Sequence, residues 1–318
     1  MSERSVGSWE RAGAPTAKVP LLAAATAMPE TFFLRAPAEP VAQEAIFFRA
    51  RRRAGASLLG RSTAVAFLGA DFYGELMQCL RLPAVDVPAL DGASPEEAAA
   101  ELRRTWRVGT DVLPNLTRLA EAHGVRVVGL PDPEEDVDAF SFWSEGQPFV
   151  VLARSKTAER ARFDLAHELG HLVMHSDTLD ERVTDRQLEH EANRFAAELL
   201  VPRQTLRASV TSSSVGLEAL LDLKTRFGVS ARAMAYSLKD AGRLSDWATR
   251  QVLVELERRG FRAGEPGSHL TWERSRVFDA LPEMLRARGM SPGSWVRAIG
   301  QRRDDVHAFT LGQMMLAV

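Results

Sequence analysis

The sequence predicts a protein of the α+β class, in which a small β-sheet leads directly into a pair of helices. Short apolar or alternating runs follow one another closely within residues 125–154, as in adjacent strands. Apolar residues at helical spacing then occur in 163–175 and 184–200. The segments on both sides of this central region are helical in pattern, which places the sheet and the helix pair together in the middle of the chain.

Composition and charge exclude several classes of protein. The chain has 318 residues, 45% of them hydrophobic, which is enough for one large core or two to three smaller ones. Its 40 Lys and Arg residues nearly balance 42 Asp and Glu residues, so no general positive field favours nucleic acid or an acidic membrane. The single cysteine, Cys79, cannot form an internal disulfide, and the sequence shows no signal peptide or spanning apolar run. We therefore expect a cytoplasmic protein.

Three regions are predicted along the chain. Residues 1–94 form an N-terminal helical segment that ends in a connector rich in Pro and Asp. Residues 95–205 contain the sheet and the helix pair. Residues 206–318 are helical throughout and include two helices joined at a turn that contains Gly228, as in helix-turn-helix units.

Each element of the central region has a local signal. Ser94 and Glu97 form a capping-box pattern before one helix, and Gly124 ends the next. Three strands are then predicted, at 125–131, 138–144 and 148–154. The sequence "SEGQ" between the last two strands is typical of a tight hairpin turn.

Titratable side chains collect on one side of the predicted helix "FDLAHELGHLVMH" (163–175). At 100° per residue, leucines and small apolar residues form one stripe, and the polar residues share the opposite side. These polar residues are Asp164, His167, Glu168, His171 and His175. His167 and His171 are one turn apart and can bind a single ion, and Glu168 projects beside them. This is the HExxH arrangement of zinc hydrolases.

The chemistry of zinc explains these residue types. Two neutral imidazoles leave room for a third protein ligand and a water, whose pKa falls towards neutrality on the metal. We predict Zn²⁺ as the cofactor, His167 and His171 as ligands, and Glu168 as the general base that accepts the proton of the water. The alternative interpretation is a polar stripe exposed to solvent, in which the histidines are incidental.

The third ligand is expected in the stretch "LEHEANRFAAELLVP" (188–202), where an acidic or His residue follows on a second helix. Helical projection places Glu189 beside the buried stripe, whereas His190 points outward and Glu191 lies on the other margin. We predict Glu189 as the ligand, with Glu191 as the alternative. Asn193, one turn after Glu189, is predicted to hold either the carboxylate or an imidazole.

His175 has two interpretations, and the sequence leaves both open. It lies one turn after His171, where it can support the metal centre from outside the ligand set or donate a hydrogen bond to the transition state. A histidine at the C-terminus of a helix also interacts favourably with the helix dipole.

The two stretches "RFDLAHELGHLVMH" and "EHEANRFAAELLVP" together resemble the ImmA/IrrE family of zinc metallo-endopeptidases, and the resemblance is specific over about residues 99–202. It implies a zincin-like minidomain over residues 95–205. In that family the acidic ligand stands four residues before the Asn or Asp, which is Glu189 here. The resemblance also implies a repressor as the protein substrate, which is cleaved or inactivated to release prophage, mobile-element or stress genes.

A looser similarity extends to the longer, repressor-linked members of the family. Segments such as "MPETFFLRAP" and "AIFFRARRR" resemble members in which an N-terminal helix-turn-helix domain of the xenobiotic-response-element type precedes the peptidase. We expect that DNA-binding domain to be missing, with "KVPLLAAATAMPETFF" as the remnant of its last helix.

Three hypotheses for function follow. The first is a zinc-dependent endopeptidase that acts on a helix-turn-helix repressor, with the strand at 148–154 or its neighbour at a sheet edge that pairs with an extended substrate. The second is a non-catalytic transcriptional regulator that binds DNA through "ARAMAYSLKDAG", where only Arg232 and Lys239 offer contacts to nucleic acid. The third is a toxin–antitoxin or immunity partner that acts by protein contact alone.

Overall fold

The computed structural model describes residues 3–35, 41, 46–47, 56–131, 139–154, 157–176, 184–210 and 215–314. Within these ranges the chain forms fifteen α-helices, one short 3₁₀-helix and a four-stranded sheet, which confirms the α+β class. Among the same residues, no helix combines the length and the apolar character that a bilayer crossing requires.

The N-terminal region is mainly helical. It contains α1 (Glu3–Ala12), a 3₁₀-helix (Thr16–Lys18), α2 (Val19–Thr26), α3 (Glu30–Leu34), the two-residue strand β1 (Ile46–Phe47) and the long helix α4 (Ala56–Met77). Two further helices precede the rest of the sheet, α5 (Pro95–Thr105) and α6 (Leu116–Ala122). The predicted capping box forms at the start of α5, where Ser94 and Glu97 bond to each other's backbone N–H groups.

The three predicted strands occur where the sequence places them. They are β2 (Arg126–Gly129), β3 (Ala139–Ser144) and β4 (Gln147–Leu152). Glu145 and Gly146 connect β3 to β4 with φ values of 49° and 71°, as in the two-residue turns whose twist matches antiparallel strands. β3 pairs antiparallel with β4, and β2 pairs parallel with β4.

The prediction that the strand at 148–154 itself lies at a sheet edge is wrong, whereas its neighbour β2, the other strand considered, does end the described sheet. The strand order is β1-β3-β4-β2, so β4 is an interior strand. Its apolar run "PFVVL" is buried, as expected for a strand with a neighbour on each side and helices on both faces. β3 has β1 on its other side, through the pairs Ile46–Phe142 and Phe47–Ser141.

The remaining elements are helices. α7 (Ala158–Met174) and α8 (Asp185–Leu200) correspond to the predicted helix pair. They are followed by α9 (Arg203–Ser209), α10 (Leu217–Phe227), α11 (Ala231–Asp240), α12 (Asp246–Arg258), α13 (Arg276–Ala287), α14 (Pro292–Ile299) and α15 (Arg303–Phe309). Gly228 ends α10 with φ 65°, at the turn that the helix-turn-helix pattern predicts.

The sheet lies between α7 and a cluster of aromatic rings. Because side chains alternate along a strand, Phe142 points away from the face that carries Ser141. Its ring stacks on Phe149 at 4.9 Å between centroids, and Tyr73 of α4 meets Phe149 at 5.7 Å. Beside Tyr73, Phe72 contacts C-terminal rings, of which Phe309 is 5.7 Å away. Helices from both ends of the chain therefore cover the face of the sheet opposite α7.

Candidate metal centre

Helices α7 and α8 pack closely because a glycine faces the contact between them. A Cβ built at Gly170 would lie 3.0 Å from the Phe195 ring and 3.3 Å from Cα of Ala192. Gly170 stands between the two histidines of the HExxH motif, so the close approach occurs at the level of these side chains. The small residue thereby brings His171 and its neighbours within reach of the first turns of α8.

The structure brings the three predicted ligands together. His167, His171 and Glu189 each place one ligand atom within 4.8 Å of the others. The two Nε2 atoms are 3.1 Å apart. Glu189 contacts both rings, with its Oε2 3.5 Å from Nε2 of His167 and its Oε1 3.4 Å from Nε2 of His171. Two imidazole nitrogens and one carboxylate thus converge on one point.

This donor set fits a zinc ion. Two imidazoles and a carboxylate are a set that catalytic zinc sites use, and they leave a fourth position for water or substrate. The interpretation of a solvent-exposed polar stripe is wrong, because His167 and His171 are only 4% and 5% exposed. Asp164, another member of the polar side of the helix, does not need exposure to solvent either, because its carboxylate forms an ion pair with Arg160 at 3.1 Å.

Glu168 lies next to the ligand group and is held by the sheet. Its side chain is 2% exposed, and its Oε2 accepts a hydrogen bond of 2.6 Å from the Ser141 hydroxyl on β3. Ser141 is fully buried and was missed from the sequence. The available signal was a small hydroxyl residue inside the apolar stretch "AFSFW", because a buried hydroxyl needs a hydrogen-bond partner.

The comparison with known families agrees with this geometry. Residues 120–239 match the family model described as IrrE N-terminal-like domain (Peptidase_M78). Over these residues the chain is similar to the ImmA/IrrE family. A search of curated proteins gave no match.

The family match indicates a metallopeptidase of the ImmA/IrrE type, with a metal cofactor. Its range contains strands β2 to β4 and helices α7 and α8, and it continues past residue 205 to the last turn of α11. Helices α9 and α10, and all but the last residue of α11, therefore lie within the match. The domain boundary that the sequence places at residue 205 stays a prediction.

A chain of hydrogen bonds leads outward from His171 within the matched region. His171 Nδ1 lies 3.0 Å from Nδ1 of His175, and Nε2 of His175 lies 3.2 Å from Oε2 of Glu191. Gln187 Nε2 donates to the other Glu191 oxygen at 2.9 Å. Burial lowers the pKa of His175, although the Glu191 carboxylate acts in the opposite direction. The alternative ligand Glu191 thus contacts His175.

The sequence assigns positions to two further residues of α8, His190 and Asn193. His190 is exposed, as helical projection indicates. The Asn193 amide donates to the backbone carbonyl oxygen of Glu189 at 2.7 Å, so it supports the turn of α8 that carries this carboxylate. A contact to the carboxylate group itself, or to an imidazole, stays a prediction for Asn193.

Proposed function

We propose that the protein is a zinc-dependent endopeptidase. The observation that carries this proposal is the convergence of His167, His171 and Glu189 beside the buried Glu168. These three side chains would hold the metal ion. The match to a metallopeptidase family over the same residues supports this assignment.

The roles of the surrounding residues follow from their contacts. A zinc ion held by His167, His171 and Glu189 would supply Lewis acidity at this point, which would make water more acidic and a peptide carbonyl more reactive. The Glu168 carboxylate, oriented by the Ser141 hydroxyl, accepts the proton that the attacking water loses and passes it to the amide nitrogen of the leaving group.

His175 positions His171 rather than acting on the substrate. A zinc ligand must present an unprotonated nitrogen, and Nε2 of His171 is the atom that faces Glu189. Nδ1 of His171 then carries the proton and donates to His175, whose Nε2–H donates to Glu191. The carboxylate thereby fixes the tautomer of both rings. This contact gives His175 a role outside the ligand set that the helix dipole does not explain.

The substrate that we propose is a helix-turn-helix repressor. The resemblance to the ImmA/IrrE family supports it, because members of that family act on repressors. Cleavage or inactivation of the repressor would release prophage, mobile-element or stress genes from repression.

The test uses the purified, zinc-loaded protein and the helix-turn-helix repressor encoded nearest to its gene. We expect mass spectrometry to show one defined fragment pair that disappears with a chelator and returns with zinc. Glu168→Gln should lower the cleavage rate by roughly 10³-fold with zinc content unchanged, because it removes the proton acceptor. Glu218→Gln is the control, because Glu218 is an exposed acid outside the site and its substitution should leave cleavage intact.

Two results would overturn the peptidase proposal. One is full cleavage by Glu168→Gln, and the other is a purified protein that does not bind zinc stoichiometrically. The non-catalytic hypotheses, a DNA-binding regulator and a toxin–antitoxin or immunity partner, predict no metal-dependent fragment.

A further inference from the structure

A cavity of about 670 Å³ opens beside the metal centre, between α7, α8 and α11. Phe163 lines it from α7, one turn before His167, and Asn193 lines it from α8, one turn after Glu189. A helical turn advances 5.4 Å, so the cavity begins about one turn from two of the proposed ligands. Its volume is in the range of ligand pockets, about 300–1,000 Å³.

The cavity combines aromatic and small apolar side chains. Phe163 and Ala197 line it from the α7–α8 pair, and Ala233 and Tyr236 line it from α11. Tyr236 is 43% exposed, which is high for a large aromatic residue beside a cavity. Space between a half-buried ring and an exposed ring is suited to an apolar group that enters from solution.

The charges around the cavity are largely neutralised within the protein. Three of its arginines are each paired with an acid: Arg194 with Glu96 at 2.6 Å, Arg203 with Glu198 at 3.0 Å, and Arg160 with Asp164 at 3.1 Å. A fourth, Arg232, lies over the Tyr236 ring at 5.8 Å. An acidic ligand that approached one of the first three arginines would have to displace the carboxylate already paired with it.

We propose that this cavity receives a large apolar side chain of the polypeptide substrate, next to the scissile bond, and that Phe163, Ala233 and Tyr236 determine this preference. The inference rests on the proposed peptidase function. It also gives a role to α11, the helix that resembles a DNA-reading helix in sequence. Because Arg232 and Tyr236 line the cavity, this helix forms a wall of the substrate site.

A series of amino-acid hydroxamates tests the inference without requiring cleavage. The hydroxamate group chelates zinc, and the side chain of each compound then samples the neighbouring space. The probes are the N-acetyl hydroxamates of Gly, Ala, Leu, Phe and Asp, and calorimetry measures their Kd for the zinc-loaded protein. We expect Leu and Phe to bind roughly tenfold or more tightly than Gly, as burial of a large apolar side chain implies. Asp should bind no more tightly than Gly.

Substitutions on α11 locate the effect. Ala233→Trp should fill the cavity and abolish the advantage of Phe over Gly, while the Kd of the Gly compound stays unchanged. Tyr236→Ala removes one wall and should reduce the Phe advantage several-fold, which provides a second measurement if the tryptophan variant does not fold. Lys239→Trp is the matched control, because Lys239 is an exposed position of the same helix outside the cavity lining, and it should keep the full preference.

The outcomes separate this inference from the proposed function. If the Gly hydroxamate does not bind the wild-type protein, the metal centre and the cavity inference both fail. If it binds, but all side chains bind equally or Asp binds best, the cavity inference is overturned and the peptidase proposal stands. Retention of the Phe advantage in both Ala233→Trp and Tyr236→Ala would also overturn the inference.

Discussion

The two halves of α7 both bury charged or titratable side chains, but they do so in different ways. In the N-terminal half, each buried charge meets an opposite charge from the same chain. Glu159 accepts a hydrogen bond from Lys224 at 3.3 Å, and Arg162 forms an ion pair with Glu273. Arg162 also donates to the carbonyl oxygens of Leu113 and Pro114, at 2.8 Å each.

In the C-terminal half, ligand atoms converge on one another. The nitrogens of His167 and His171 and the carboxylate of Glu189 share a single point, and such a set binds a cation from solution. The comparison shows that burial of polar groups does not by itself identify a functional site. The N-terminal half should respond to substitution by loss of stability, and the C-terminal half by loss of metal and activity.

The largest of the following effects is expected for Lys224→Met, which removes the positive partner of Glu159 in the N-terminal half of α7. Lys224 is 4% exposed and lies between Glu159 and Glu265, whose carboxylate it contacts at 2.6 Å. Removal of one partner from a buried ionic group leaves uncompensated charge, so the free energy of unfolding should fall by about 3–5 kcal/mol. Urea denaturation of the metal-free protein measures this loss, and zinc stoichiometry at low temperature should be unchanged.

A second substitution controls for the shape of the methionine. Adding Glu265→Gln to Lys224→Met removes one of the two stranded acids and should restore part of the lost stability. A loss below about 1 kcal/mol in the single variant would contradict the structural role of this ion group. So would a loss of zinc binding in a variant that stays folded.

Glu121 sharpens the comparison, because it is a buried acid held by hydrogen bonds. It is 3% exposed and accepts hydrogen bonds from the Ser275 hydroxyl and, at 2.9 Å, from the backbone N–H of Arg276. Burial raises the pKa of Glu121 to about 7, although both hydrogen bonds act in the opposite direction. A pKa raised in the folded state means that stability is fully present below the usual value of 4.5 and is lost as pH rises through 7.

We therefore expect Glu121→Gln to flatten the dependence of stability on pH. The wild-type protein should lose on the order of 3 kcal/mol more unfolding free energy than the variant between about pH 4.5 and 8. Urea denaturation across this range, with chelator present, measures the difference. The exposed acid Glu218 is the control, because Glu218→Gln should keep the wild-type profile. Equal pH profiles for Glu121→Gln and the wild type would rule out the raised pKa.

Glu191 tests how far the metal centre extends beyond its ligands. Glu191→Gln keeps an oxygen for the His175 Nε2–H but removes the charge, so zinc affinity should fall about tenfold. Competition with a chromophoric chelator measures the Kd, and His190→Gln, at the exposed neighbouring position, is the control. A loss of a thousandfold or more would identify Glu191 as a ligand itself, and an unchanged Kd would exclude the hydrogen-bond chain.

The same comparison shows what the sequence could predict. The spacing of His167 and His171, or of Glu189 and Asn193, fixes which side chains share a helical face, because the helix has a constant period. The interior position of β4 and the pairing of Lys224 with Glu159 depend on contacts between residues distant in sequence. No local period encodes such contacts, which explains the wrong edge-strand prediction. The sequence marks Ser141 as a hydroxyl inside an apolar stretch, but its partner Glu168 lies on another element.

The effect expected for Ser141 is about as large as that for Glu191, and it tests whether β3 contributes to the chemistry at the C-terminal half of α7. Ser141→Ala removes the hydrogen bond to Oε2 of Glu168. A hydrogen bond to a charged acceptor contributes about 1.5 kcal/mol. We therefore expect kcat/KM to fall roughly tenfold. Zinc content should stay at the wild-type level, because Ser141 is not one of the three proposed ligands. Ser144→Ala on the same strand is the control, since alternation directs Ser144 to the opposite face. A tenfold loss in the Ser144 variant as well would assign the effect to the strand as a whole, whereas a loss confined to Ser141→Ala would show that the sheet orients the general base.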